Sequence, residues 1–167
     1  MGFISENRKE MGLVLSMNVG HNISICSLEN YTKANIINLN EERKLIENYI
    51  NKLDIKTPSI EQLVNFLSGG NQQKVVVSKW LAINPKIILL NEPTRGIDVG
   101  TKVEVYKILN QLSKEGMSIV MSSSELPELM GMSDRLLIFY KGRVVKELVR
   151  KEFREKEIME YVTGVSA

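Results

Sequence analysis

The chain has 167 residues, with 22 Lys and Arg against 20 Asp and Glu and a formal net charge of +2. That length holds one domain with a sizeable core, or a large piece of a bigger one. An even charge balance without a basic cluster argues against nucleic acid or anionic lipid as the main partner, and the single Cys26 and single His21 exclude a disulfide framework and a zinc site.

The start carries charge from Glu6 onward and lacks the apolar middle of a signal peptide, and no apolar run approaches the ~18 residues of a membrane span. A reducing, cytoplasmic setting fits. Residues 2–19 alternate charged and apolar pieces and read as a loop leading into a small buried element. Residues 18–28 carry Val19, Ile23, Ile25 and Leu28 at the spacing of a short helix, and 30–40 read as a connector. Over 41–53, Leu45, Ile46, Tyr49, Ile50 and Leu53 form one apolar stripe opposite Glu and Lys, which predicts a helix. Residues 59–67 are a short helix or turn, so the part up to 83 is expected to be all-helical.

Residues 67–74 read Leu-Ser-Gly-Gly-Asn-Gln-Gln-Lys and open into Val75, Val76, Val77, Trp80, Leu81 and Ile83. Ser68 is a good N-cap and the paired glycines let a ligand approach the backbone. The first amides of a helix lack intrahelical acceptors and carry about half a positive elementary charge, so this start suits a phosphate. From 86 onward strand-like and helical runs alternate. We expect a strand over 86–90, a helix over Val99–Lys114 with Val103, Tyr106, Ile108, Leu109 and Leu112 inward, and a strand over Ser118–Ser122. A short helix over 125–130, strands over Arg135–Tyr140 and 143–147 split by Lys141-Gly142, and a helix over 152–162 complete the chain. This is the pattern of a parallel sheet wrapped by helices, with one antiparallel hairpin.

A phosphate-wrapping loop of the form G-x-x-x-x-G-K-[ST] is absent. The nearest lookalike, 96–102, has three residues between its glycines and puts Thr101 before Lys102, so it reads as a turn with Asp98 as a helix cap. The order of LSGGNQQK, then IILLNEPT, then Gly96-Ile97-Asp98 resembles the signature motif, Walker B region and D-loop of an ABC-type ATPase. The fuller resemblance is to the C-terminal ATP-binding cassette of the two-cassette subunits that energise ribose-type and other simple-sugar ABC importers. It is carried by Ile4-Ser5-Glu6-Asn7-Arg8-Lys9, Lys56-Thr57-Pro58-Ser59, LSGGNQQK, NEPTRGIDVG, SSELPE and GMSDR, and covers nearly the whole chain.

The resemblance implies an α/β fold: a partial ABC nucleotide-binding cassette with no Walker A. Residues 1–83 would be a loop and a helical subdomain with the signature helix, and 84–167 the second half of a RecA-like P-loop NTPase sheet. It implies ATP and Mg²⁺ as cofactors. Ser68, Gly69 and Gly70, with Asn71 beside them, would contact the γ-phosphate of an ATP held by the opposing cassette's Walker A, and Asp98 would cross the same interface. Glu92 would polarise the attacking water. Asn91 and Glu6 would stand near Mg²⁺ in place of the family's Asp and Gln, and Ser124 stands where fully active cassettes have a switch His.

The implied partners are an opposing cassette, membrane permease subunits and, indirectly, a sugar-binding protein, with no nucleic acid, on the inner face of the cell membrane. The chain alone is expected to be inactive for lack of Walker A. Two other readings stand beside this one: a non-functional remnant of a disrupted transporter gene, and a soluble non-transport ABC protein. The neutral charge balance and the Asn71-Gln72-Gln73 form of the signature weigh against the second.

Overall fold

The run Ile87-Ile88-Leu89-Leu90-Asn91 is the middle strand of a three-stranded sheet in the computed structural model, which describes residues 1–165. In chain order the strands are β1 (Gly2–Ile4), β2 (Thr32–Lys33), β3 (Ile36–Ile37), β4 (Ile87–Asn91), β5 (Ser118–Ser122), β6 (Arg135–Tyr140) and β7 (Arg143–Val149). The helices are α1 (Val19–Ser24), α2 (Leu39–Lys52), α3 (Gly69–Leu81), α4 (Val99–Lys114), α5 (Leu126–Met132) and α6 (Glu155–Thr163), with shorter helical turns between them. The sheet order is β1-β4-β5, with β1 parallel to β4 and Ile4 opposite Leu90. This is the expected α/β class. The chain clusters into two compact units, Met1–Met121 and Ser122–Ala167, and residues 166 and 167 lie outside the described residues.

In the first unit the sheet face and the helices share a core that includes Ile4, Val19, Ile23, Val64, Val75, Val76 and Ile88, all fully buried. Helix α3 runs through it. A Val75-Val76-Val77 run favours a strand by local preference, but burial of all three valines, at ~1.5 to 3 kcal/mol per side chain, outweighs the few tenths that β-branching costs a helix. Its buried polar groups are satisfied internally: the Gln72 amide donates to the Val64 carbonyl at 3.2 Å, and the Ser78 hydroxyl donates to the Lys74 carbonyl at 2.9 Å. Lys74, 4% exposed, donates to the Asp54 carbonyl and pairs with Glu104, each at 2.9 Å.

Three expectations change. Residues 2–4 form a strand rather than a loop, because β1 owes its conformation to hydrogen bonding with β4, a partner far along the chain. With the small β2–β3 hairpin as well, the part before residue 83 is not all-helical. On α4 the inward residues are Val105, Leu109 and Leu112, spaced i, i+4 and i+7; Val103 lies about 200° around the helix from Val105 and is 45% exposed.

In the second unit, β6 and β7 pair antiparallel with Tyr140 opposite Arg143, around a turn in which Lys141 and Gly142 both take positive φ (44° and 77°). A two-residue hairpin of this hand demands such angles, which is why Gly sits at one of them. Leu136, Ile138 and Leu148 alternate onto the face packed with Phe153 and Ile158 of the closing helix region.

Candidate functional site

Helix α3 begins at Gly69 with Ser68 as its N-cap, as the sequence predicts: the Ser68 hydroxyl oxygen accepts from the Asn71 amide N–H at 3.4 Å. The Asn71 side chain locks this turn. Its Nδ2 donates to Ser68 Oγ at 3.0 Å, and its Oδ1 accepts from the Lys56 amide at 2.8 Å. Asn71 therefore ties the first turn of α3 to the loop at Lys56. Ser68 is exposed, Gly69 half-buried and Gly70 buried. The amides of Gly69 and Gly70 lie in the first helical turn, where no intrahelical carbonyl can accept from them.

Close approach bears on both glycines, most strictly on Gly70. A Cβ on Gly70 would lie 2.1 Å from Thr101 Cγ2, and one on Gly69 would lie 2.7 Å from Arg8 Nη2. The sequence reading assigned Gly70 to ligand access; the structure adds that the start of α3 is packed directly against the start of α4.

Asp98 caps α4, accepting from the Thr101 amide at 3.0 Å and from the Thr101 hydroxyl at 2.7 Å. These hydrogen bonds hold its carboxyl below the usual aspartate range. A depressed folded pKa contributes stability that is present above the unfolded pKa and lost as pH falls through the folded one. The stability difference between wild type and Asp98→Asn is thus expected to close on acidification, read from denaturant unfolding at stepped pH. A difference independent of pH would contradict this role.

At the end of β4, Asn91 and Glu92 are half-buried, and Glu92 takes a left-handed backbone (φ 51°), a conformation costing a non-glycine residue about 1 to 2 kcal/mol. Glu6, expected near a cation, forms an ion pair with Arg95. Among the described residues no group of three or more His, Cys, Asp or Glu converges on one point. Mg²⁺ needs no such cage, since it binds through one or two carboxylates together with nucleotide phosphates and water. Glu92, the expected water-activating residue, supplies the carboxylate at the end of β4. Asn91 offers a neutral oxygen in place of a carboxylate, and Glu6 is engaged by a guanidinium.

Ser124 belongs to the second unit, just before α5, where the Glu125 amide donates to Ser123 Oγ at 3.0 Å and Ser123 hydrogen bonds Glu128. An open cleft of about 510 Å³ lies among residues 50–58 and is linked to α3 through the Lys56 amide that Asn71 accepts.

Sequence reasoning missed the part played by Arg8. Its Nη1 donates to the Arg95 carbonyl at 3.0 Å, its Nη2 to the Gly96 carbonyl at 3.3 Å, and its Nε reaches Gln72 Oε1 at 3.5 Å. The signal available in sequence was the polar stretch Glu6-Asn7-Arg8 following an apolar start.

Residues 4–95 match the family model described as ABC transporter. Over 167 residues the chain is 47% identical to the ribose import ATP-binding protein RbsA of Clostridium tetani, covering 99% of this chain and 33% of that protein. It is 50% identical over 164 residues to the xylose import ATP-binding protein XylG of Geobacillus kaustophilus, covering 98% of this chain and 32% of that one. The chain spans about a third of the length of these curated relatives. In fold it is similar to the ATP-binding cassette MJ0796, solved as a dimer bound to ADP and Pi, with a TM-score of 0.75 at 24% identity over 91% of this chain and 63% of that one.

Proposed function

The chain belongs to the ABC transporter family, and on that premise we propose that it lends the start of α3 to a composite ATP site in an importer of a ribose-type monosaccharide. The observation that carries this reading is the start of α3 itself: an exposed Ser68 cap followed by Gly69 and Gly70 with first-turn amides outside the helical ladder. In the assembled importer, Ser68, Gly69 and Gly70 contact the γ-phosphate of an ATP bound by an opposing cassette, and Asp98 crosses the same interface. Hydrogen bonds to a charged group are worth ~1.5 to 3 kcal/mol each, so two or three make closure depend on a phosphate that ADP lacks. Binding of ATP thereby becomes a mechanical signal.

Permease subunits in the membrane receive that signal, and a sugar-binding protein delivers the sugar to them. No helix among the described residues is long and apolar enough to cross a membrane, which fits a subunit seated on the cytoplasmic face of its permease. The names of RbsA and XylG support a pentose-type cargo.

Mg²⁺, when bound with the nucleotide, neutralises charge on the transferring phosphoryl group. Glu92 is the residue of this chain suited to accept a proton from an attacking water. Asn91 keeps the shape of an aspartate without its charge, and Ser124 lacks the positively polarised N–H that an imidazolium offers, so this chain's own half of the machinery is built for slow turnover. Its contribution lies in the phosphate-contacting face.

Calorimetry tests this division of labour. Since no G-x-x-x-x-G-K-[ST] loop is present in these residues, titration of the chain alone with Mg-ATP is expected to show no binding tighter than about millimolar, roughly 4 kcal/mol. Micromolar binding by the chain alone would overturn the proposal that another polypeptide segment holds the nucleotide.

A further inference from the structure

Strands β1 and β4 are parallel neighbours with Ile4 opposite Leu90, so the chain leaves both strands at the same end of the sheet. The segments that follow, 5–8 and 91–96, therefore run out side by side, and two side chains of the first bind the second. Glu6 pairs with Arg95. Arg8 donates to the carbonyls of Arg95 and Gly96, at 3.0 and 3.3 Å, and its Nε faces Gln72 Oε1 of α3 at 3.5 Å.

We propose that Arg8 is a positioning residue: its guanidinium ties the first turn of α3 to the loop 95–98, so that the Gly69 and Gly70 amides and the Asp98 carboxylate keep one fixed spacing. This deepens the reading of a composite phosphate site and rests on it for its purpose, whereas the tie itself is a property of the chain alone. Arginine is required by geometry. A planar fork with five N–H donors can serve two carbonyls and a side-chain amide oxygen that lie in different directions, and an ammonium at the end of a lysine cannot. Burial pulls the Arg8 guanidinium below the ordinary arginine range, yet it stays charged, and charge-assisted hydrogen bonds to carbonyls are stronger than neutral ones.

Gly69 is part of the same device. The Cβ that any other residue would bring lies 2.7 Å from Arg8 Nη2 and 3.5 Å from the Gly96 carbonyl oxygen, so a side chain there would displace the guanidinium before it disturbed the helix. The glycine leaves room for the tie.

Amide hydrogen exchange on the full 167-residue chain, without nucleotide, reads the tie directly. In Arg8→Ala the amides of Asn71 and Gln72 and those of Arg95 and Thr101 are expected to exchange about tenfold faster, together, while the hairpin β6–β7 stays as in wild type. Arg8→Lys gives the same pattern. Gly69→Ala reproduces it, and adding Gly69→Ala to Arg8→Ala changes nothing further, because the second substitution removes a contact already lost.

Unchanged exchange at either segment in Arg8→Ala, full rescue by lysine, or additive effects of the two substitutions would overturn the proposal. If Arg8→Ala fails to fold, so that the hairpin accelerates too, Arg8→Lys and Gly69→Ala decide by the same comparison. Failure of the phosphate reading shows separately, as wild-type chain that ignores ATP in the presence of a partner cassette while its exchange pattern still follows Arg8.

Discussion

Gly70→Ala is expected to destabilise the chain by about 1 to 2 kcal/mol, and Gly70→Val by about 3. Alanine in a helix interior is favoured over glycine by up to ~1 kcal/mol, so a site with free space would gain stability. Here the added Cβ meets Thr101 Cγ2 at 2.1 Å, Thr101 Oγ1 at 3.0 Å and Thr101 Cβ at 3.1 Å. Thr101 cannot swing away cheaply, because its hydroxyl and amide both serve Asp98 at the start of α4. The clash, ~1 to 3 kcal/mol for overpacking, outweighs the propensity gain. Thr101→Ser removes the nearest atom and keeps the hydroxyl, so it should recover part of the loss; a coupling of about 1 kcal/mol or more in the double-mutant cycle is expected from denaturant unfolding. A Gly70→Ala chain as stable as wild type, or zero coupling, would show that the two helix starts are not in contact.

This packing bears on how the site works. The two helix starts that present Gly69, Gly70 and Asp98 touch through Thr101, and Arg8 bridges the same two segments from the side of the sheet. The start of α3 is held by the Asn71 side chain, by packing on Thr101 and by Arg8, which is the pre-organisation the proposed phosphate contact would need.

What the sequence makes legible follows from how local each cause is. Helix α4 begins after Asp98 and β5 covers Ser118–Ser122 as read, because a capping carboxylate and an apolar run between polar residues are signals a few residues long. The Ser68 cap is legible for the same reason. Strand β1 is illegible: three residues carry no period, and only pairing with β4 defines them. On α4, Leu109 and Leu112 face inward as expected, but Val103 and Val105 are equally apolar, and the neighbours that bury Val105 rather than Val103 come from elsewhere in the chain. Arg8 is the extreme case, with partners 64, 87 and 88 residues away that no local pattern announces. Glycine is ambiguous in the opposite way. Its presence at 69 and 70 is plain, but sequence alone does not say whether it makes room for a ligand, for Arg8 or for Thr101.

The largest functional effect is expected from Ser68→Arg. Three contributions compete. Loss of the cap costs α3 about 1 kcal/mol. The long side chain stands over the Gly69 and Gly70 amides and excludes two or three charge-assisted bonds of ~1.5 to 3 kcal/mol each. Its own guanidinium could return one such bond to a phosphate. The balance is a net loss of about 3 kcal/mol, or roughly a hundredfold in association. Ser68→Asn keeps a good cap without the bulk, and separates helix stability from phosphate access.

The most direct measurement is sedimentation of the chain with a partner cassette carrying an intact Walker A, in ATP and in ADP. The account predicts association in ATP, little in ADP, and loss of the ATP-dependent complex in Ser68→Arg. Equal association in the two nucleotides, or a Ser68→Arg chain that still joins its partner in ATP as wild type does, would contradict it.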